Sequence, residues 1–211
     1  MQVCRLVLYW RTMLTKGENM MSTVLQWTSA DIAALPEDGK RYEIIDGELF
    51  TSRQPHWHHQ FTCFQTASVL NVWNKQTKAG QVNLAPGVIF ADDDDVAPDV
   101  VWISKERRAL LLGDDGKLHG APELVIEVLS FSNRANEMRD REAKLKLYSR
   151  RGVSESWMVN WLSRTVEIYR RERAALRLVG TFYAVDTLET PLLPGFSCLV
   201  SEIFEDIPDL P

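Results

Sequence analysis

Residues 122–130 read PELVIEVLS. Five of the nine are Leu, Val or Ile, and both alternating faces are largely apolar. Leu124, Ile126 and Val128 point one way, and Glu123, Val125, Glu127 and Leu129 the other. This pattern predicts a strand covered on both sides, near the centre of a sheet. Glu127 is the exception inside it. A carboxylate in such a place is costly to ionise without a partner. It requires a metal ion, a lysine or a raised pKa.

The elements on either side can be read outward from this strand. Upstream, Ala97-Pro98-Asp99 leads into a short apolar strand at 100–103, and Ser104 caps a helix to about residue 112. A loop rich in Gly and Asp, 113–122, returns the chain to the central run. Downstream, Ser132-Asn133 opens a charged helix that Gly152 stops after Arg151. Strand-like runs follow at 157–161, 166–170 and 176–183, then a turn at 191–196 and a short helix at 201–204. Nearer the start, a helix at 29–35 ends at Pro36 and Gly39. Asp46-Gly47 between 42–45 and 48–51 predicts a tight hairpin, because a primed turn needs positive φ. Glu43 and Ile45 share one face of it. Apolar residues at helical spacing predict a long helix over 58–78. A strand at 81–90 is interrupted by Pro86-Gly87, and Asp92 to Asp95 read as a polar turn. The order defines an α/β protein of mixed α+β type, with a central mixed sheet flanked by helices.

The chain has 211 residues, 45% hydrophobic and 25% charged, which is ordinary for a water-soluble domain. Residues 23–211 are read as a single domain without repeats or a linker. Residues 1–22 are read as a disordered leader, or as an upstream start ahead of Met20 or Met21. The apolar run 3–10 is broken by Arg5 and lacks a small-residue cleavage site, so it is a poor secretory signal. No stretch approaches the ~20 apolar residues of a membrane span. A net charge of -5 excludes a bulk polyanion binder, so any nucleic-acid contact must use a local basic patch. Cys4, Cys63 and Cys198 fit neither a disulfide framework nor zinc spacing, which points to reduced thiols and a cytoplasmic location. His56, His58 and His59 have no Cys or further His at ligand spacing in this reading.

If the strands of Asp99 and Glu127 pair antiparallel, the start of one lies beside the end of the other and the two carboxylates converge. Such a pair suits a hard divalent cation, Mg²⁺ or Mn²⁺, completed by water and phosphate oxygens. Asp99 after proline could equally cap a turn. The helix at 134–151 carries seven basic residues against three acidic ones, a local balance of +4. It suits a phosphate backbone, or else it is a solvated face with internal ion pairs. Asp92 to Asp95 would repel nucleic acid, and they lack the Gly and distal Glu of a calcium loop.

Five segments, RYEIIDGEL, APDVVWIS, PELVIEVLSFSN, KLKLYSRRGVSESWMV and PLLPGFSCLVSEIF, together resemble the Uma2 family (domain of unknown function 820). That family is placed in the PD-(D/E)XK nuclease superfamily. The resemblance implies a restriction-endonuclease-like core and a Mg²⁺-dependent endonuclease that hydrolyses phosphodiester bonds. Asp99 would be the PD aspartate and Glu127 the acidic residue of (D/E)XK, both as metal ligands. The lysine usual two residues later is replaced by Leu129. The family pattern R-x-x-K-x-x-x-Y, here Arg141 to Tyr148, moves that lysine to Lys144 on the following helix. Glu43 and His59 match further family positions and join the catalytic set. Arg134, Arg141 and Lys146 are the expected nucleic-acid contacts. The expected partner is nucleic acid, in the first place DNA, with no membrane and with a homodimer left open. The alternative is an inactive relative that binds nucleic acid or a protein through the same fold.

Overall fold

The computed structural model describes residues 26–36, 38–52, 54–130 and 134–208, with side chains from 134 to 140 outside that description. A six-stranded sheet forms the centre, in the order β10-β9-β8-β7-β6-β3. Its strands are β3 (Gly80–Leu84), β6 (Val100–Ser104), β7 (Leu124–Val128), β8 (Glu155–Asn160), β9 (Thr165–Glu172) and β10 (Ala175–Phe182). Only β7 and β8 run parallel; the other neighbours are antiparallel. The parallel step needs a crossover, and helix α4 (Arg134–Arg151) supplies it. β7 lies inside the run PELVIEVLS, as LVIEV, and all five of its residues are buried.

Each face of this sheet is covered differently. Helix α2 (Trp57–Thr77) sets Cys63, Ala67, Leu70 and Trp73 against Val100, Trp102, Leu124 and Ile126. Removing one such buried branched side chain down to alanine costs about 2–5 kcal/mol. The end of α2 is tied down by Asn74, whose Oδ1 accepts from Gly80 N at 3.0 Å and from Trp102 Nε1 at 3.2 Å. The opposite face holds Val101, Ile103 and Val125 against Leu147 and Tyr148 of α4. Helices α1 (Ser29–Ile32), α3 (Lys105–Leu111) and α5 (Val200–Ile203) are short. Among the described residues, no helix is long and apolar enough to cross a membrane.

A second sheet, β2-β1-β5-β4, is built from β1 (Arg41–Ile45), β2 (Glu48–Ser52), β4 (Val88–Ala91) and β5 (Asp94–Val96). Its hairpin turns at Asp46 and Gly47, with φ of 53° and 71°, the two positive values of a primed turn. Residues 81–90 are not one interrupted strand. The chain leaves β3 through Ala85, at φ 46°, and enters β4 in the other sheet. Nor are Asp92 to Asp95 a polar turn throughout. Asp94 and Asp95 lie in β5 and are buried. Asp94 accepts hydrogen bonds from Arg150 Nη2 at 2.8 Å and Arg151 Nε at 2.6 Å, and Asp95 from Lys117 Nζ at 3.0 Å. Paired charges make this burial tolerable, and composition alone hides that pairing. The strands β11 (Thr187–Glu189) and β12 (Ser197–Leu199), three residues each, are too short to show a period. The leader or upstream start expected at residues 1–22 lies outside the described residues.

Candidate active site

Val100 of β6 faces Ile126 of β7, so one step further along the pair Asp99 comes beside Glu127. The expected antiparallel neighbours are therefore present, and both side chains are buried, at 7% and 5% exposure. Asp99 Oδ2 accepts from Val128 N at 2.9 Å, which links it to the residue after Glu127. His59, in the first turn of α2, brings Nε2 to 3.4 Å from the same oxygen. Arg41 Nη1 lies 3.5 Å from Asp99 Oδ1 and donates to Ala97 O at 3.0 Å.

Glu127 is held from α4. Lys144 Nζ donates to its Oε2 at 3.1 Å, and the Tyr148 hydroxyl donates to its Oε1. Lys144 and Tyr148 are four residues apart, so the helical repeat puts them on one face, over the strand. The same Lys144 Nζ stands 3.4 Å from Glu43 Oε2. Glu43 comes from the second sheet, and its Oε1 accepts from Ala97 N at 2.8 Å. The cluster thus lies at the seam of the two sheets. The segment from β5 to Asp99 links them, since it carries both Ala97 and Asp99.

Crowding splits the two carboxylates. Glu127 is pushed up to about 8: burial raises it most, Lys144 lowers it, Asp99 and Glu43 raise it, and the Tyr148 hydrogen bond lowers it. Burial would also raise Asp99, but the His59 hydrogen bond and charge, Lys144 and the Val128 amide hold it below the usual value. Burial works against the charge of Arg41, which Asp99, Glu43 and Glu127 nevertheless raise above its ordinary pKa. Two titratable groups driven apart in this way mark a site for proton or metal chemistry.

The donor set suits a hard divalent cation. The buried carboxylates of Asp99 and Glu127, with Glu43 beside Lys144, offer the oxygen donors that such an ion takes. Asp99 also belongs to a second grouping, with His59 and Cys63, whose ligand atoms lie within 4.8 Å of one another. Cys63 Sγ is 3.6 Å from His59 Nδ1. This corrects the expectation that no cysteine falls at ligand spacing from the histidines, because positions 59 and 63 are one helical turn apart. Burial, with Asp99 and Glu127 nearby, pushes the Cys63 thiol up, so sulfur is a poor ligand there without losing its proton.

The cluster opens into a cleft of about 1500 Å³, lined by Arg41, Glu43, His59, Asp99, Glu127 and Lys144 among others. That exceeds the ~300–1,000 Å³ of small-molecule pockets. Of the expected nucleic-acid contacts, Arg141 lines the cleft but is tied to Glu167 and to the Tyr169 hydroxyl at 2.8 Å. Lys146 is exposed on another side of α4, and the Arg134 side chain lies outside the described residues. Arg150 and Arg151 hold Asp94, so much of the +4 balance is spent inside the protein. Glu123 accepts from Ser104 Oγ at 2.6 Å and anchors the start of α3, a structural task. Asn160 caps a turn by accepting from Ser163 N at 2.9 Å. The reading by residue type missed Arg41, and Tyr148 entered it only through the family pattern. Arg41 was legible as the residue two before Glu43 on one strand face, and Tyr148 as the residue four beyond Lys144.

The family profile of Uma2, described as "Putative restriction endonuclease", matches residues 29–201. The chain belongs to the Uma2 family. Among solved structures, one described as "a putative nuclease belonging to DUF820 from Anabaena variabilis ATCC 29413" shares its fold. The TM-score is 0.66 at 20% identity, over 84% of this chain and 97% of that one. No curated protein matches the chain.

Proposed function

We propose that the chain is a metal-dependent nuclease that hydrolyses phosphodiester bonds, with Asp99 and Glu127 as the metal ligands. The observation that carries this reading is the convergence of Asp99 and Glu127 at the paired ends of β6 and β7, with Lys144 against Glu127. Family membership and the fold of the DUF820 neighbour support it. A Mg²⁺ or Mn²⁺ ion bound there would polarise a phosphoryl oxygen and lower the pKa of a coordinated water.

The remaining roles fall to the chain's own groups. Lys144 supplies positive charge next to the reacting phosphate, where charge develops in the transition state. Its position on α4 takes the place of the lysine that Leu129 cannot provide. Glu43 orients that ammonium from the second sheet. Tyr148 fixes the Glu127 carboxylate, and His59 with Val128 N fixes Asp99. Substrate is nucleic acid, and the size of the cleft suits a chain better than a small ester.

The test is incubation of the full chain with DNA and RNA strands and duplexes, with Mg²⁺, with Mn²⁺ and with chelator. Cleavage that needs metal and stops with chelator supports the reading. Binding without cleavage of any substrate would favour an inactive relative instead.

A further inference from the structure

The cleft holds a second feature that the hydrolytic residues do not use. His56 stacks on Trp161, with ring centroids 5.1 Å apart and planes within 8°. His58 flanks both, at 5.1 Å from His56 and 5.5 Å from Trp161. The arrangement is fixed from several sides. His56 is the N-cap of α2, and its Nδ1 accepts from His58 N at 3.1 Å. Trp161 Nε1 donates to Leu129 O at 3.1 Å, two residues beyond Glu127. The turn after Trp161 is held by Asn160 Oδ1, which accepts from Leu162 N at 3.1 Å. His56, Trp161 and Leu162 line the same cleft as the carboxylates. Trp161 is 6% exposed, whereas His56 is exposed.

Among the described side chains of α4, much of the positive charge is already paired within the protein. The protein carries a net -5, and Arg141, Arg150 and Arg151 of α4 are committed to Glu167 and Asp94. A duplex held by its phosphates would need a basic surface. An unpaired base offers a π-face to stack instead, and each stacked base contributes ~1–3 kcal/mol regardless of sequence.

We propose that His56, backed by Trp161, is a stacking platform for an unpaired nucleobase beside the scissile phosphate. The substrate is then single-stranded or locally unpaired nucleic acid. This rests on the nuclease reading and names its substrate class. The site differs from the hydrolytic cluster because it reads the base and leaves the phosphate to Lys144 and the carboxylates.

The experiment is fluorescence anisotropy with the full chain carrying Glu127→Gln, which permits binding without turnover. The probes are a labelled DNA strand, the same RNA strand, the DNA duplex and an abasic strand of equal length. Intact strands should bind roughly tenfold tighter than duplex or abasic strand. Three variants at one position separate stacking from capping. His56→Ala and His56→Asn should each lose roughly tenfold on the intact strand and nothing on the abasic one. His56→Phe keeps a ring, loses the cap acceptor and should bind like the parent. If Asn binds like the parent and Phe does not, His56 acts as a helix cap and the proposal fails. Equal binding of strand and duplex also overturns it while the nuclease reading stands. No binding to any probe overturns both.

Discussion

Lys144 of α4 holds its ammonium 3.1 Å from Glu127 of the central strand and 3.4 Å from Glu43 of the second sheet. One lysine therefore bridges two carboxylates that arrive from different sheets. This defines two separable consequences of its removal. Lys144→Ala should lower turnover by ~10²–10³, as loss of one transition-state contact does. It also removes the ammonium that offsets the buried Glu43 and Glu127 carboxyl groups, which should lower stability. Single-turnover rates at a temperature where circular dichroism shows a folded variant separate the two. Lys146→Ala, about 200° away round the helix, should change neither stability nor rate, only the salt dependence of binding. A wild-type rate in folded Lys144→Ala would make Lys144 a structural residue.

Tyr148→Phe removes the hydroxyl that donates to Glu127 Oε1 and leaves that oxygen buried. The cost in stability should be about 1–3 kcal/mol. The donor favours the ionised carboxylate, so its loss should move the acidic limb of the pH–rate profile to higher pH. An unmoved limb with unchanged melting would show that the contact carries no weight.

Glu127 makes stability depend on pH in an unusual direction. Its pKa is about 8 in the folded chain, above the 4.5 of an ordinary glutamate. Between those values the folded state binds the extra proton, so stability falls as pH rises, by at most about 1.4 kcal/mol per pH unit. Glu127→Gln should abolish that slope and raise the melting temperature more at pH 8 than at pH 5. Thermal melts across this range test it, and a slope that survives in Glu127→Gln would assign the effect elsewhere.

Metal binding follows the same proton. A cation at Asp99 and Glu127 needs Glu127 ionised, so affinity should rise with pH up to about 8 and then level off. Mn²⁺ relaxation measurements on the free protein should show weak binding, because few protein ligands are present. The Asp99→Asn, Glu127→Gln double variant should bind far less. Equal binding by both proteins would remove the metal from these residues.

Much of this site was legible in the sequence because its elements are local. The apolar run of β7 exposed Glu127 as an anomaly, and Asp46-Gly47 marked the hairpin that carries Glu43. The convergence of Asp99 with Glu127 followed from antiparallel pairing alone. What escaped depended on contacts between distant segments. Arg150 and Arg151 look like a phosphate surface in sequence, yet they neutralise Asp94 of a strand more than fifty residues earlier. Pro86-Gly87 marks a break locally, but that the two halves join different sheets has no local signature. Leu129 at the usual lysine position signalled that a cation must come from elsewhere, but only packing brings Lys144 to Glu127. Cys63 beside His59 is readable from their spacing of four on one helix.

The most direct measurement is the single-turnover rate of phosphodiester cleavage in Mg²⁺ for wild type and Glu127→Gln, on the substrate the wild type cleaves best. Glutamine keeps the shape of the side chain and removes the charge that would hold the ion. The expected result is metal-dependent cleavage by wild type and a rate lower by ~10² or more in the folded variant. Equal rates in the two proteins, or cleavage that persists in chelator, would contradict a metal centre at Asp99 and Glu127.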